Sequence, residues 1–174
     1  MKVTALVHLA NLGPPRRPSG ASSQINEPLF ADVATASRQL AGPTSVAIRY
    51  DDLVGLRHLQ RFAVRASETL LQGNLPKPES LNRLAEESTA RVRLTAHEGG
   101  LHAQFEWHDT SAVAELARIL VVEIGVLEPA RLHRCERAEC GLLFYNATRS
   151  RTQRWHAEDP CGWRQRQEAR RGCG

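Results

Sequence analysis

The sequence predicts a mainly α-helical protein that carries one small β-hairpin and ends in a short module of different composition. Apolar residues recur at helical spacing in several segments between residues 29 and 127. One stretch, 90–107, instead alternates apolar and polar residues around a glycine pair. Beyond residue 129 aliphatic side chains become scarce, and all four cysteines lie there, three of them within about 30 residues. We therefore predict a helical domain over 1–129 and a separate module over 130–174.

The pattern in the first half of the chain predicts four apolar elements, which glycine and proline residues separate. The segment 3–12 is a short strand or helix, and the proline-, glycine- and serine-rich segment 13–28 after it is typical of a loop. Asp51 can cap a long helix that ends at Gly73. The predicted helices of this half are 29–40, 51–73 and 79–87.

The second half of the helical domain begins with a change of period. Apolar residues occupy alternate positions in 90–107, and Gly99-Gly100 stands between the two runs, which predicts a β-hairpin. Ser111 then opens a helix that is apolar on most sides and ends before Pro129. Such a helix is expected at the centre of the core.

Composition restricts the class of protein. The hydrophobic fraction is 41% and the charged fraction 24%, as in globular domains. No apolar run approaches the roughly 18–20 residues that a membrane helix needs, and the N-terminus lacks a secretory h-region. We therefore expect a cytoplasmic protein that does not contact a membrane. Thiols stay reduced in that compartment, where clustered cysteines more often bind metal or do redox chemistry than form disulfides.

The formal net charge of +4 is unevenly distributed. From Arg131 onward the chain has ten arginines and five acidic residues, a net charge of +5. The positive excess therefore lies beside the cysteines. Arginine is better suited than lysine to bidentate contacts with phosphate.

The cysteine spacing predicts a zinc site. Cys135 and Cys140 are separated by four residues and followed by glycine, and His156 and Cys161 repeat that pattern about 15 residues later. Three thiolates and one imidazole supply the four donors of a tetrahedral structural Zn²⁺. The segment after the first pair, 142–145, is expected to be the second arm of a zinc-knuckle hairpin, and 150–156 and 164–171 are expected to be helical. A module this small needs such a metal to fold, so we predict a treble-clef-like zinc finger.

Other interpretations of the cysteines stay open. They could be ordinary reduced thiols, although free cysteines have no reason to adopt paired, glycine-flanked spacing. Cys173 could replace His156 as the fourth ligand, although it lies close to a chain end that is expected to fray. A disulfide between Cys135 and Cys140 is disfavoured by the compartment, and a redox switch that releases zinc remains an alternative.

The run from Cys135 to Arg164 resembles the CGNR zinc-finger family of stress-induced transcription regulators. The family pattern C-x4-C, F-x-D-x-S-R, R-R-W-C and C-G-N-R aligns without a gap. Matching residues include Phe144, Arg149, Arg154, Trp155, Cys161, Gly162 and Arg164. The departures are Asn146 for Asp, Thr148 for Ser, Gln153 for Arg, His156 for Cys and Trp163 for Asn. Histidine is as usual a zinc ligand as cysteine, so that exchange keeps the site intact.

The resemblance is close over about 130–171 and looser before it. Asn11, in the HLANL segment, corresponds to an asparagine near the family's N-terminus. The resemblance implies an ABATE-type N-terminal domain that senses a small-molecule effector or forms a homodimer. It also implies a DNA-binding transcription regulator that acts in a stress response.

An arginine-rich surface beside a structural zinc fits nucleic acid. Phosphate contacts supply affinity that depends strongly on salt, whereas contacts to base edges supply specificity. A solvated arginine-rich tail and a zinc-stabilised protein-interaction module are the alternatives. The expected DNA contacts are Arg149, Arg151, Arg154, Arg164, Arg166, Arg170 and Arg171.

We do not expect an enzyme. The HEGGLH segment, 97–102, has one residue more than the H-E-x-x-H metalloprotease motif, and its glycines belong to a turn. No nucleophile elbow, P-loop or dinucleotide fingerprint occurs. An alternative is a pocket in the N-terminal domain that uses Glu106, His108 and Asp109.

Overall fold

A computed structural model describes residues 5–12, 29–97, 100–137 and 139–171 of the chain. Six helices and two antiparallel hairpins occur in this part, which confirms the predicted fold class. The helices are α1 (Ala5–Asn11), α2 (Val33–Gln39), α3 (Asp52–Leu71), α4 (Glu79–Ala85), α5 (Ala112–Val126) and α6 (Trp163–Arg171). The strands are β1 (Ser88–His97), β2 (Gly100–Asp109), β3 (Leu132–Arg134) and β4 (Leu143–Tyr145). The loop predicted over 13–28 and Cys173 lie outside the described residues.

The core lies where α1, α3 and α5 pack together. Leu6, Leu56 and Leu116 are fully buried there. Glu123 of α5 is also buried, and its carboxylate accepts hydrogen bonds from the backbone N–H groups of Ala5 and Leu6 at 3.0 and 2.9 Å. A carboxylate at a helix N-terminus satisfies donors that have no partner within the helix. The central position predicted for α5 is therefore correct.

The predicted caps are only partly those observed. The hydroxyl of Ser111 accepts from the backbone N–H of Ala114 and begins α5 as expected. Asp51 occupies the N-cap position of α3 but makes no capping hydrogen bond with its side chain. The neighbouring Asp52, which is buried, accepts instead from the backbone N–H of Arg49 at 2.8 Å. At the other end of α3, Gly73 adopts a φ of +77°.

The long hairpin pairs β1 with β2 in the predicted position, with Val92 opposite Phe105 and Leu94 opposite Ala103. Its apolar alternation would ordinarily place one face on the core. Instead, Leu94 is 68% exposed and Leu101 69% exposed. The hairpin extends from the helical body at α5 with its apolar face open to solvent.

The short hairpin of β3 and β4 belongs to the C-terminal module and packs on the helical body. Leu132 and Leu143 join the same apolar cluster as the residues of α1, α3 and α5. The side-chain amide of Asn11 donates to the carbonyl of Leu143 and accepts from its backbone N–H, both at 2.8 Å. The side chain of the last residue of α1 thus pairs with the backbone N–H and carbonyl of one β4 residue, as the backbone of a neighbouring strand would. The predicted boundary between residues 129 and 130 stays a prediction.

Candidate metal centre and nucleic-acid interface

The four predicted donors converge on one point. The ligand atoms of Cys135, Cys140, His156 and Cys161 all lie within 4.8 Å of one another. The Cys140 sulfur is 3.4 Å from His156 Nδ1. Bond lengths to tetrahedral zinc imply separations of about 3.5 Å between sulfur and nitrogen and about 3.8 Å between two sulfurs. The separation of Cys140 and His156 already fits zinc, and every other donor pair lies within about 1 Å of the spacing that zinc needs.

The first pair of donors lies in a tight turn between β3 and β4. The backbone N–H of Cys135 donates to the carbonyl of Leu142 at 2.8 Å, and that of Cys140 donates to the carbonyl of Arg137 at 2.9 Å. Gly141, directly after Cys140, has a φ of +61°, which favours glycine. The predicted second arm of the knuckle hairpin is confirmed as β4.

The second pair comes from irregular backbone that precedes α6. Cys161 lies in a π-type turn, Glu158–Gly162, and His156 lies just before that turn. A Cβ at Gly162 would meet the Glu158 carboxylate at 2.5 Å and the Trp155 ring at 3.0 Å. A larger residue at this position would have to displace the Glu158 carboxylate and the indole that lies next to the donors.

The predicted helix over 150–156 is wrong, whereas the one over 164–171 is confirmed as α6. Arg151 adopts a φ of +56°, which a helix does not allow. The carbonyl of Arg154 accepts from the backbone N–H of Glu136 at 3.1 Å, so this segment bonds to the turn that holds Cys135 and Cys140 instead of forming helical bonds within itself. Tertiary hydrogen bonds have replaced local ones here.

The thiols need a counter-charge. Burial, together with the neighbouring thiols of Cys161 and Cys135, raises the pKa of Cys140 to about 12, although the backbone N–H of Leu142 acts in the opposite direction. Burial alone would raise the pKa of Cys135, but hydrogen bonds from the backbone N–H groups of His156 and Arg137 and from the thiols of Cys140 and Cys161 outweigh it, so the pKa lies below its usual value. Three adjacent thiols cannot all ionise without a cation, and a bound dication supplies that charge. The donor set therefore fits Zn²⁺.

Arg137 is a supporting residue that the sequence did not single out. Its guanidinium lies 2.8 Å from the Glu139 carboxylate and 3.4 Å from that of Glu168 on α6. Burial lowers the pKa of Arg137 less than these acidic partners and the neighbouring Cys161 thiol raise it. Arg137 thus links the first knuckle, the cluster and α6. Only its position between Cys135 and Cys140 could have indicated this role.

Asn146, which replaces an aspartate of the family pattern, is completely buried. Its side-chain oxygen accepts from the backbone N–H and the hydroxyl of Thr148 at 3.0 and 2.6 Å. An aspartate could accept both bonds equally well. The side-chain nitrogen of Asn146 has no partner among the described residues, so the exchange leaves one buried donor unsatisfied.

The seven predicted DNA-contacting arginines divide into two groups. Carboxylates bind three of them: Glu128 binds Arg151 at 2.9 Å, Glu136 binds Arg154 at 2.5 Å, and Glu158 binds Arg166. The guanidinium groups of Arg154 and Arg166 also lie over the Trp155 ring, at 5.5 and 5.8 Å from its centre. The remaining four are exposed and pair with no described residue: Arg149, Arg164, Arg170 and Arg171.

Comparison with known proteins names this module. Residues 131–172 match the CGNR zinc finger. The match covers the C-terminal quarter of the chain and includes all four clustered donors of the CGNR finger. The ABATE-type N-terminal domain stays a prediction. No curated protein matches the chain.

The cofactor of the CGNR finger is a structural Zn²⁺, as the sequence predicts. Four protein donors leave no open coordination position, so such an ion stabilises the fold and does not activate water. What the chain itself contributes is the framework of β3, β4 and the π-type turn that holds the donors together.

In the described residues, no helix is both long and apolar enough to cross a membrane.

The residues considered for a catalytic pocket lie on β2, away from the CGNR finger. Asp109 accepts from Arg118 at 2.7 Å and from the Ser88 hydroxyl. The Arg118 guanidinium holds the pKa of Asp109 below its usual value. Glu106 lies 3.3 Å from the Arg93 guanidinium.

Proposed function

We propose that this protein is a DNA-binding transcription regulator in the cytoplasm, and that its finger holds a basic surface against nucleic acid. Cys135, Cys140, His156 and Cys161 are the proposed zinc ligands, and the finger has no catalytic role. No disulfide joins the three described cysteines, which suits a reducing compartment. The resemblance to stress-induced regulators supports the regulatory role.

The observation that carries the proposal is the set of four arginines without acidic partners. An arginine that already binds a carboxylate must lose that contact before it binds phosphate. Arg149, Arg164, Arg170 and Arg171 do not have this cost, because they pair with no described residue. We therefore assign the main phosphate contacts to these four, and smaller contributions to Arg151, Arg154 and Arg166.

Helix α6 carries three of the four arginines that have no acidic partner among the described residues. None of its side chains is fully buried, so packing alone stabilises it little. It begins two residues after Cys161, and Glu168 ties it to Arg137. Arg164 and Arg171 are seven residues apart and share one helical face, and Arg166 and Arg170 share another. A zinc ion that fixes Cys161 would therefore fix the direction of both arginine pairs.

The test is fluorescence anisotropy of a labelled mixed-sequence duplex across a salt series. The logarithm of the association constant should fall linearly with that of the salt concentration, by about 0.9 for each phosphate contact. The double variant Arg164→Gln/Arg171→Gln should reduce the slope by about 1.8. The control Arg91→Gln/Arg93→Gln, on the long hairpin, removes the same charge and should leave the slope unchanged.

A response that is flat in salt, or equal slope changes in both variants, would refute the DNA proposal. The protein-interaction alternative would then gain support from Trp163. This indole is 53% exposed where the family pattern has asparagine, and a protein partner could cover it. If the indole does not stack on a base, Trp163→Asn should bind the duplex as strongly as the wild type.

We further propose that the N-terminal domain forms a homodimer through the long hairpin. Val92, Leu94, Leu101, Phe105 and Trp107 lie on one exposed face of β1 and β2. Five such side chains expose roughly 500 Å² in each copy, so two copies would bury about 1,000 Å², near the lower limit for a specific interface. A two-stranded hairpin is only marginally stable alone, so a second copy would stabilise it.

A further inference from the structure

A cleft of about 600 Å³ lies between α3 and α4, on the helical body. Pockets of roughly 300–1,000 Å³ are typical of small-molecule sites. Phe62 and Ala66 of α3 and Leu81 and Leu84 of α4 line its inner part, and Ala66 and Leu81 are buried. The cleft thus offers an apolar floor large enough for one or two rings or a short alkyl chain.

The rim of the same cleft is positively charged. Arg61 and Arg65 lie one turn apart on α3, and Lys77 and Arg83 face them from the segment around α4. None of these four side chains forms an ion pair with a described residue, and no described acidic residue lines the cleft. Four cations around one cavity repel one another, and a bound anion would relieve that repulsion.

Neutral hydrogen-bonding groups complete the lining. His58 and Ser80 lie among the cations and can donate to an oxyanion, whereas the Thr69 hydroxyl already donates to the carbonyl of Arg65 at 2.8 Å. A wholly solvated basic face would need no apolar floor, and a purely apolar pocket would need no ring of cations. The two features together are typical of a site for an amphipathic acid.

We propose that this cleft binds a small organic anion, whose carboxylate, sulfonate or phosphate is held by Arg61, Arg65, Lys77 and Arg83 and whose apolar body lies on Phe62 and Leu84. The proposal does not depend on DNA binding by the finger. The cleft and the finger nevertheless share α3, because Glu68 of that helix lies 3.9 Å from the Arg134 guanidinium at the end of β3. An occupant of the cleft would thus lie on the helix that contacts the finger.

The experiment uses the zinc-loaded full chain and two fluorescent probes. 8-Anilinonaphthalene-1-sulfonate carries an anionic head on an aromatic body, and N-phenyl-1-naphthylamine has nearly the same body without the charge. The sulfonate should bind with one site per chain, more tightly than the neutral probe and more weakly as salt increases. Arg65→Gln/Arg83→Gln should weaken sulfonate binding about tenfold, as expected for two partly exposed ion pairs. It should leave the neutral probe nearly unaffected.

Controls separate the cleft from other surfaces. Arg91→Gln/Arg93→Gln removes two positive charges of the long hairpin, outside the cleft, and should not change sulfonate binding. If Arg65→Gln/Arg83→Gln folds poorly, Arg61→Gln/Lys77→Gln tests the same rim from other positions. Equal affinity for the two probes, or wild-type affinity in both rim variants, would overturn the proposal.

Two further results would also overturn it. Sulfonate fluorescence that is lost in Leu94→Asp but kept in the rim variants would place the probe on the long hairpin. Displacement of the sulfonate by duplex DNA, together with weaker duplex binding by the rim variants, would make the cleft part of a nucleic-acid surface. Arg164→Gln/Arg171→Gln should lose duplex binding and keep sulfonate binding. That result would show that the finger binds DNA and the cleft binds the anion independently.

Discussion

Asn11→Ala should weaken the contact between the finger and the helical body and so lower the stability of the protein. The variant removes two hydrogen bonds of 2.8 Å, one to the carbonyl and one to the N–H of Leu143. Each contributes about 1 kcal/mol, and leaving the Leu143 backbone groups unpaired adds a cost of about 1–3 kcal/mol, reduced by the partial exposure of the site. We expect the free energy of unfolding to fall by about 2–4 kcal/mol. That is a large share of the 5–15 kcal/mol typical of a folded protein.

The assay is urea unfolding of the zinc-loaded protein, followed by far-ultraviolet circular dichroism and, in parallel, by zinc release to a chromophoric chelator. The two signals should both move to lower urea. Asn82→Ala is the matched control, because Asn82 is exposed on α4 and its side chain bonds to no described residue. It should change stability by only a few tenths of a kcal/mol, in the direction of alanine's better helix propensity. A loss below about 1 kcal/mol in Asn11→Ala would refute the role assigned to this contact.

Three other outcomes follow from the structure. Gly162→Ala should weaken zinc binding about tenfold or more in chelator competition, because its Cβ would meet the Trp155 ring at 3.0 Å; unchanged affinity would show that the ring moves freely. Asp109 has a lowered pKa because Arg118 donates to it, so its contribution to stability is present above the usual value of 3.8 and is lost as the pH falls below it. Asp109→Asn should therefore lower the urea midpoint at neutral pH and flatten its acid dependence, and an unchanged pH profile would contradict this. Leu94→Asp should convert a dimer to a monomer in light scattering coupled to size exclusion, and a wild-type protein that is already monomeric refutes the dimer.

The metal cluster could be predicted from sequence because its information is local. Each donor pair has the spacing and the glycine that a tight turn needs, and the donor types themselves indicate zinc. The helices with regular apolar spacing were predictable for the same reason. Ser111 could be recognised as a cap, whereas the buried carboxylate of Asp52 could not be distinguished from that of Asp51.

What the sequence could not show depends on contacts between distant residues. The segment 150–156 has helical composition, but the Arg154 carbonyl binds Glu136 across the finger. The alternation in β1 and β2 indicates an apolar face but not whether the protein covers it. The basic cleft combines residues of α3 with Lys77 and Arg83, in a region whose summed charge is close to neutral. Carboxylates elsewhere balance the charge of those cations, and none of the described ones lines the cleft.

The measurement that tests the central claim most directly is the zinc content of the purified full chain by inductively coupled plasma mass spectrometry. The wild type and Cys173→Ala should each contain about one zinc ion per chain, as expected for four ligands at one structural site. His156→Cys should keep that content, and Cys140→Ser should lose it. Zinc retained in Cys140→Ser, or lost from Cys173→Ala, would contradict the assignment of Cys135, Cys140, His156 and Cys161.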